Sequence, residues 1–140
     1  MPRAIVADLI TRYGEAELIQ LTDRTHPPSR VINEAVALQA LTDASAEVSS
    51  YVLVRWPAGV STTPALVEAE CILARHRLHR TPTDAVIAEA ARIRAWLRDL
   101  ADGDAAVDPS PDDGGTTVVS GQAQLVGPDR MFTLDRMRGL

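Results

Sequence analysis

The side chains in this chain that could do chemistry are few, and their spacing works against them. Cys71, His76 and His79 fall within one stretch, CILARHRLH. In a helix, the five-residue step from Cys71 to His76 places them on different faces. No fourth ligand with zinc spacing accompanies them, and His26 lies apart in a Pro-rich segment. No Gly-x-Ser-x-Gly elbow or other nucleophile motif is present. Catalytic residues: none; metal: none; cofactors: none are expected. Cys71 is the single cysteine, so no intramolecular disulfide can form. The other candidate is an arginine cluster, Arg75, Arg77, Arg80, Arg92, Arg94 and Arg98, which invites a DNA-contact reading. Glu68, Glu70, Asp84, Glu89 and Asp99 share the same segments, and interspersed signs point to solvated faces or subunit-to-subunit pairs. A net charge of -5 and a pI near 5.1 also oppose a general nucleic-acid binder, since phosphate-driven affinity needs clustered positive charge. All fourteen basic residues are Arg. A GC-rich source accounts for that more simply than chemistry, although Arg suits bidentate ion pairs.

The elements that must carry these residues are helical. Arg30 to Trp56 is the longest run with helical spacing and no Pro or Gly, ended by Pro57 and Gly59. A helix of that span is roughly 40 Å long. Val31, Ala35, Leu38, Leu41, Ala44, Val48, Tyr51 and Val52 recur at steps of three and four, which predicts one apolar stripe needing cover. Ala4–Tyr13 reads as a short helix with Ile5, Leu9, Ile10 and Tyr13 on one face, stopped by Gly14, and Glu15–Leu21 as a second. The loop from Thr22 to Ser29 offers Ser29 as cap of the long rod. Thr63-Pro64 opens a helix to about His79, with Ala65, Leu66, Ala69, Ile72 and Leu73 inward, His76 a further candidate for that face, and Glu68, Glu70, Arg75 and Arg77 directed elsewhere. Asp84 to about Ala101 places Val86, Ala90, Ile93, Leu97 and Leu100 at nearly heptad spacing, with Trp96 either in the core or at a subunit interface. The expected fold is all-α, a bundle of about five helices around one long central helix. Aromatic content of 4% means a core of Ala, Val, Leu and Ile, which favours close helix packing.

Composition changes at Asp102, and residues 103–116 carry the Asp, Pro, Gly and Ser of a flexible linker. The expected organisation is a helical domain over 1–102, that linker, and an extended arm over 117–140. The arm regains Val118, Val119, Leu125, Val126, Met131, Phe132, Leu134 and Met137 without helical spacing, so many apolar side chains that docking on a partner is expected. No segment approaches the roughly 18 apolar residues of a membrane span, and the N-terminus lacks a secretory pattern. A soluble protein without membrane contact is expected.

Four blocks carry a resemblance: ADLITRYGEAELIQLTD (Ala7–Asp23), YVLVRWP (Tyr51–Pro57), CILARHRLH (Cys71–His79) and PDRMFTLDRMRGL (Pro128–Leu140). In this order they resemble the small Mu-type phage and prophage structural proteins of the head-tail region, and the likeness spans nearly the whole chain. The chain departs from that pattern at Arg24–Ser29, where relatives carry an acidic, glycine-containing loop, and at Ala58–Ser61, where a Leu-Pro continuation is usual. The resemblance implies a head-tail connector, adaptor or neck protein that forms a ring, twelve-fold in such connectors, beneath the portal. It implies the portal protein, a tail or stopper protein and copies of itself as partners. DNA would pass through the channel without sequence-specific binding. Location would be the virion neck, with the host cytoplasm before assembly. The arm residues Val118, Val119, Leu125, Val126, Arg130, Met131, Phe132, Leu134 and Met137 would then bind the portal or a neighbouring subunit. Alternatives are another neck component such as a tail-completion or stopper protein, more often β-rich, and a small helical DNA-binding regulator. The acidic pI and missing recognition helix oppose the regulator.

Overall fold

The computed structural model describes residues 1–107. The chain forms α1 (Val6–Tyr13), α2 (Glu15–Thr22), α3 (Glu34–Arg55), α4 (Pro64–Leu78) and α5 (Asp84–Asp102), an all-α fold. Helix starts follow side-chain chemistry. Thr63 and Thr83 accept hydrogen bonds from the amides of Leu66 and Val86, closing the first turns of α4 and α5, and Pro64 stands where its missing N–H costs nothing. Gly103, at φ 90, ends α5 in the left-handed conformation. At α1 the Asp8 carboxylate accepts from the Ile5 amide at 2.8 Å, and the aliphatic Ile5 cannot return the bond.

The central rod is shorter at its start than the sequence periodicity predicts. Arg30 has φ 57, a left-handed conformation that a right-handed helix cannot include. Asn33 rather than Ser29 caps α3, its Oδ1 accepting from the Val36 amide at 3.3 Å. The Ser29 hydroxyl instead donates to Asp23 Oδ1. Val31 therefore precedes the helix and is 64% exposed. Ala35 and Leu38 are also exposed, Leu38 at 51%. The buried face follows Ala37, Ala40, Leu41, Ala44, Val48 and Val52; it keeps Leu41, Ala44, Val48 and Val52 of the stripe expected and turns from Val31, Ala35 and Leu38 toward Ala37 and Ala40, where alanines let helix axes approach. Tyr51 is half-buried against this core. In the N-terminal helix, Ile5 is the exposed residue before α1 and Ile10 is exposed too, leaving Leu9 buried and Tyr13 half-buried.

Leu66, Ala69, Ile72 and Leu73 of α4, and Val86, Ala90, Ile93, Leu97 and Leu100 of α5, are buried. Trp96 is half-buried against the core. Two contacts fix the directions of the rods. Glu47 bonds Arg94, and Arg55 Nη1 donates to the Ala105 carbonyl, so later positions of α3 meet later positions of the α5 segment and the two helices run parallel. By contrast, Arg3 bonds both Ser49 of α3 and Glu70 of α4, whereas Glu47 bonds Arg77; the order reverses, and α4 is antiparallel to α3. A leucine pair tests the rotated face of α3. Leu41→Ala should cost about 2–5 kcal/mol in urea unfolding, and Leu38→Ala less than about 0.5 kcal/mol.

Candidate functional site

The arginine cluster resolves into structural nodes and three residues, Arg80, Arg92 and Arg98, that face solvent. At the first node Glu47 of α3 accepts from Arg94 Nε at 2.6 Å and from Arg77 Nη2 at 2.7 Å, joining α3, α4 and α5 through one carboxylate. Burial works against the charged form of Glu47, but the hydrogen bonds from Arg94 and Arg77 outweigh it and hold its pKa below the ordinary value. The same hydrogen bond raises the pKa of Arg94. At the second node Arg75 Nε meets Glu17 at 2.7 Å, its Nη1 meets Glu89 at 3.5 Å, and its guanidinium lies 4.5 Å from the centre of the Tyr13 ring. Burial, helped by Glu89, pushes the Tyr13 phenol up to about 12. Arg98 Nε donates to the Arg94 carbonyl. Arg80 and Arg92 are exposed and make no ion pair among the described residues. Three of the six arginines are thus spent joining helices rather than forming a surface for phosphates.

A third polar node was hidden in the sequence. Glu70, expected to point away from the core, is 0% exposed. Its Oε2 accepts from the amides of Arg3 and Ala4 at 2.7 and 2.9 Å, and its Oε1 from Arg3 Nη1 at 2.8 Å. Arg3 Nη1 also reaches the Ser49 hydroxyl at 3.3 Å. The carboxylate thus straps the N-terminal segment across α3 and α4. The available signal was position: Glu70 lies four residues after Leu66 and three before Leu73, inside the apolar stripe. Asp23 was missed for a different reason, its partners being hydroxyls and amides of its own loop rather than a charged side chain. It accepts from the Thr25 and Ser29 hydroxyls and the Arg30 amide, led by Thr25, and its pKa falls to about 2. It thereby fixes the loop that leads into α3.

The sulfur and imidazole candidates do not converge. Cys71 is buried, and burial pushes its thiol up to about 11, which keeps it protonated and unreactive at neutral pH. Burial, then Arg94 and Arg77, lowers the His76 pKa. His79 Nε2 is buried without a hydrogen-bond partner among the described residues and lies 3.9 Å from Glu17. No group of three His, Cys, Asp or Glu side chains among the described residues could hold a metal ion. Two adjoining clefts of about 400 and 490 Å³ share Arg24 and Leu78, one beside the start of α3 and one under the α2–α3 loop. In the second, the Thr25 hydroxyl that lines the cleft donates to Asp23 at 2.6 Å, within the network that holds the α2–α3 loop. No helix among the described residues is long and apolar enough to cross a membrane.

What remains is a surface. From Ala35 to Val54 the exposed positions of α3 include Leu38, Leu53 and Val54 and carry a single charge, Asp43. Solvated helix faces are ordinarily rich in charge, so this one is suited to contact another protein. The arm residues assigned to partner binding, Val118, Val119, Leu125, Val126, Arg130, Met131, Phe132, Leu134 and Met137, lie outside the described residues, as do most of the linker positions.

Two measurements check the nodes. Glu70→Ala should cost about 3 kcal/mol by leaving the Ala4 amide unpaired in the interior, and amide exchange should quicken selectively at Arg3 and Ala4. Glu47 binds its proton more weakly when folded, so its stabilisation is complete above the ordinary value of 4.5 and is lost as pH falls through the folded pKa. Acid unfolding of Glu47→Gln should therefore be less steep below that value than in the wild type.

Comparison with known proteins finds relatives among phage proteins. The family model described as "Bacteriophage Mu, Gp36" matches residues 4–125, taking in all five helices and continuing past them. "Gene product J" of Escherichia phage Mu is 33% identical over 105 residues, covering 74% of this chain and 74% of that protein. With the family model matching most of its length, the chain belongs to the Bacteriophage Mu Gp36 family.

Proposed function

We propose that this phage-family protein is the head-tail connector of a phage or phage-like particle, a non-enzymatic subunit that forms a twelve-fold ring beneath the portal and joins head to tail. The observation that carries the reading is the nearly uncharged outer face of α3 on a body in which ion pairs join α2, α3, α4 and α5. A rod of twenty-two residues, about 33 Å long, presents that face along its whole length, as a stave does to its neighbour. Family membership across residues 4–125 supports the same reading, because the match takes in Val118, Val119 and Leu125 together with the helical body. The arm contacts the portal or an adjacent copy, and weak contacts repeated around a ring become strong by avidity. A tail-completion or stopper role is less favoured, since all regular structure among the described residues is helical.

Truncation tests the reading. A chain lacking Ser120–Leu140 should keep the helical signal and unfolding midpoint of the full chain but fail to attach to portal-bearing heads. Truncated protein that still completes DNA-retaining particles would overturn the proposal.

A further inference from the structure

We propose that the cleft under the α2–α3 loop receives an acidic stretch of chain from a second copy of this protein, the segment from Asp102 to Asp113 at and beyond the end of α5. The contact is argued from charge and reach, and it stands or falls apart from the connector reading.

Charge is divided unevenly along the sequence. Residues 1–98 hold eleven arginines and eleven acids, which balance at neutral pH. The whole net charge of -5 therefore resides in residues 99–140. No basic residue lies between Arg98 and Arg130, whereas five aspartates, Asp102, Asp104, Asp108, Asp112 and Asp113, fall within twelve residues. The last three lie outside the described residues. Asp102 and Asp104 are exposed and make no ion pair among the described residues. They stand at the negative end of the α5 dipole, whose last turn holds no basic residue. A cation from outside the subunit relieves that repulsion.

The cleft carries the opposite sign. Arg24 and Arg80 line it, both exposed and without an ion pair among the described residues, and His26 lines it with them. The acid in its wall, Asp23, is committed to the loop, where it accepts from the Thr25 and Ser29 hydroxyls and the Arg30 amide. Leu21, Pro28 and Leu78 supply apolar wall, and the segment carries Ala106, Pro109 and Pro111 between its aspartates. Two guanidinium groups set in such a wall suit an acidic polypeptide better than a nucleic acid, whose affinity rests on many phosphate contacts.

Reach decides which copy supplies the segment. Leu78, at the end of α4, lines this cleft and also the adjoining one, which reaches Asn33 at the start of α3. The acidic segment begins at the opposite end of that rod, where Arg55 holds the Ala105 carbonyl. The twenty-two residues of α3 separate the two ends by about 33 Å. At no more than about 3.6 Å per residue, Asp108 stays within about 11 Å of Ala105. Asp102, Asp104 and Asp108 therefore cannot enter the cleft of their own chain, and a second copy can bring them there. The two surfaces differ, so the contact is head-to-tail, and every open assembly leaves one cleft and one segment unfilled.

The chain contains no lysine, and the test uses that. Arg24→Lys keeps the positive charge and introduces one side-chain amine. A water-soluble carbodiimide joins that amine to a carboxylate in contact with it, forming an amide while the reagent takes up the lost water as its urea. Isotopically labelled and unlabelled full-length chains are mixed at about 1 mM, which populates a weak contact. Links between copies should run from position 24 to Asp102–Asp113 and should be lost in 1 M salt, where the screening length is about 3 Å. Arg80→Glu on the same chain should lower their yield about fivefold. Arg92→Lys in place of Arg24→Lys measures chance collision at an exposed position away from the cleft. Links confined to one chain, links no more frequent than for Arg92→Lys, or a yield unchanged by Arg80→Glu would overturn the proposal. So would an absence of links together with binding of a DNA duplex that Arg24→Glu abolishes, a result that assigns the cleft to phosphate.

Discussion

Close approach of three helices lined with small side chains is the constraint on which this structure depends. Ala37, Ala40 and Ala44 of α3, Ala69 and Ala74 of α4 and Ala90 of α5 are all buried, and only one phenylalanine occurs in the chain. With so few large side chains, apolar area can be removed from water only if the rods come near enough for leucines and valines to fill the gaps between alanines. That requirement selects which face of α3 turns inward. It leaves Leu38 outside, although Leu38 is larger than any of the three alanines.

Polar nodes then set how the rods align. Apolar packing is tolerant of sliding, whereas a carboxylate shared by two guanidinium groups is satisfied at one height only. Glu47 does this for α3, α4 and α5, and Arg75 does it for α2, α4 and α5 while covering Tyr13 of α1. Partly exposed pairs of this kind contribute little to stability individually. Their value lies in specifying one alignment of the rods. The all-arginine composition suits the task, because the guanidinium fork is planar and keeps its charge at every ordinary pH.

Much of the helical order was legible because punctuation is local. Pro64 after Thr63, Thr83 before Asp84 and Gly14 between two short helices each announce a boundary through their own backbone chemistry, and the structure has boundaries there. The start of α3 was not legible, since Arg30 to Asn33 contain no Pro or Gly; the break comes from Asp23 capturing the Arg30 amide across the loop. The facing of α3 was ambiguous for a related reason. Its apolar residues occupy both sides of the rod, so periodicity admits two stripes and only the partners decide between them. Glu70 shows the limit of reading charge as exposure, because its partners are amides near the other end of the chain.

That long-range strap also orders events in time. Arg3 and Glu70 are separated by 67 residues, whereas α3, α4 and α5 are consecutive helices joined by short loops. At a synthesis rate of about 5–20 residues per second, the N-terminal segment leaves the ribosome several seconds before its carboxylate exists outside the tunnel. Its anchoring can therefore only follow the emergence of α4. The segment around Arg3 and Ala4 thus waits for a partner made well after it, and its docking ties an early stretch of chain to α4.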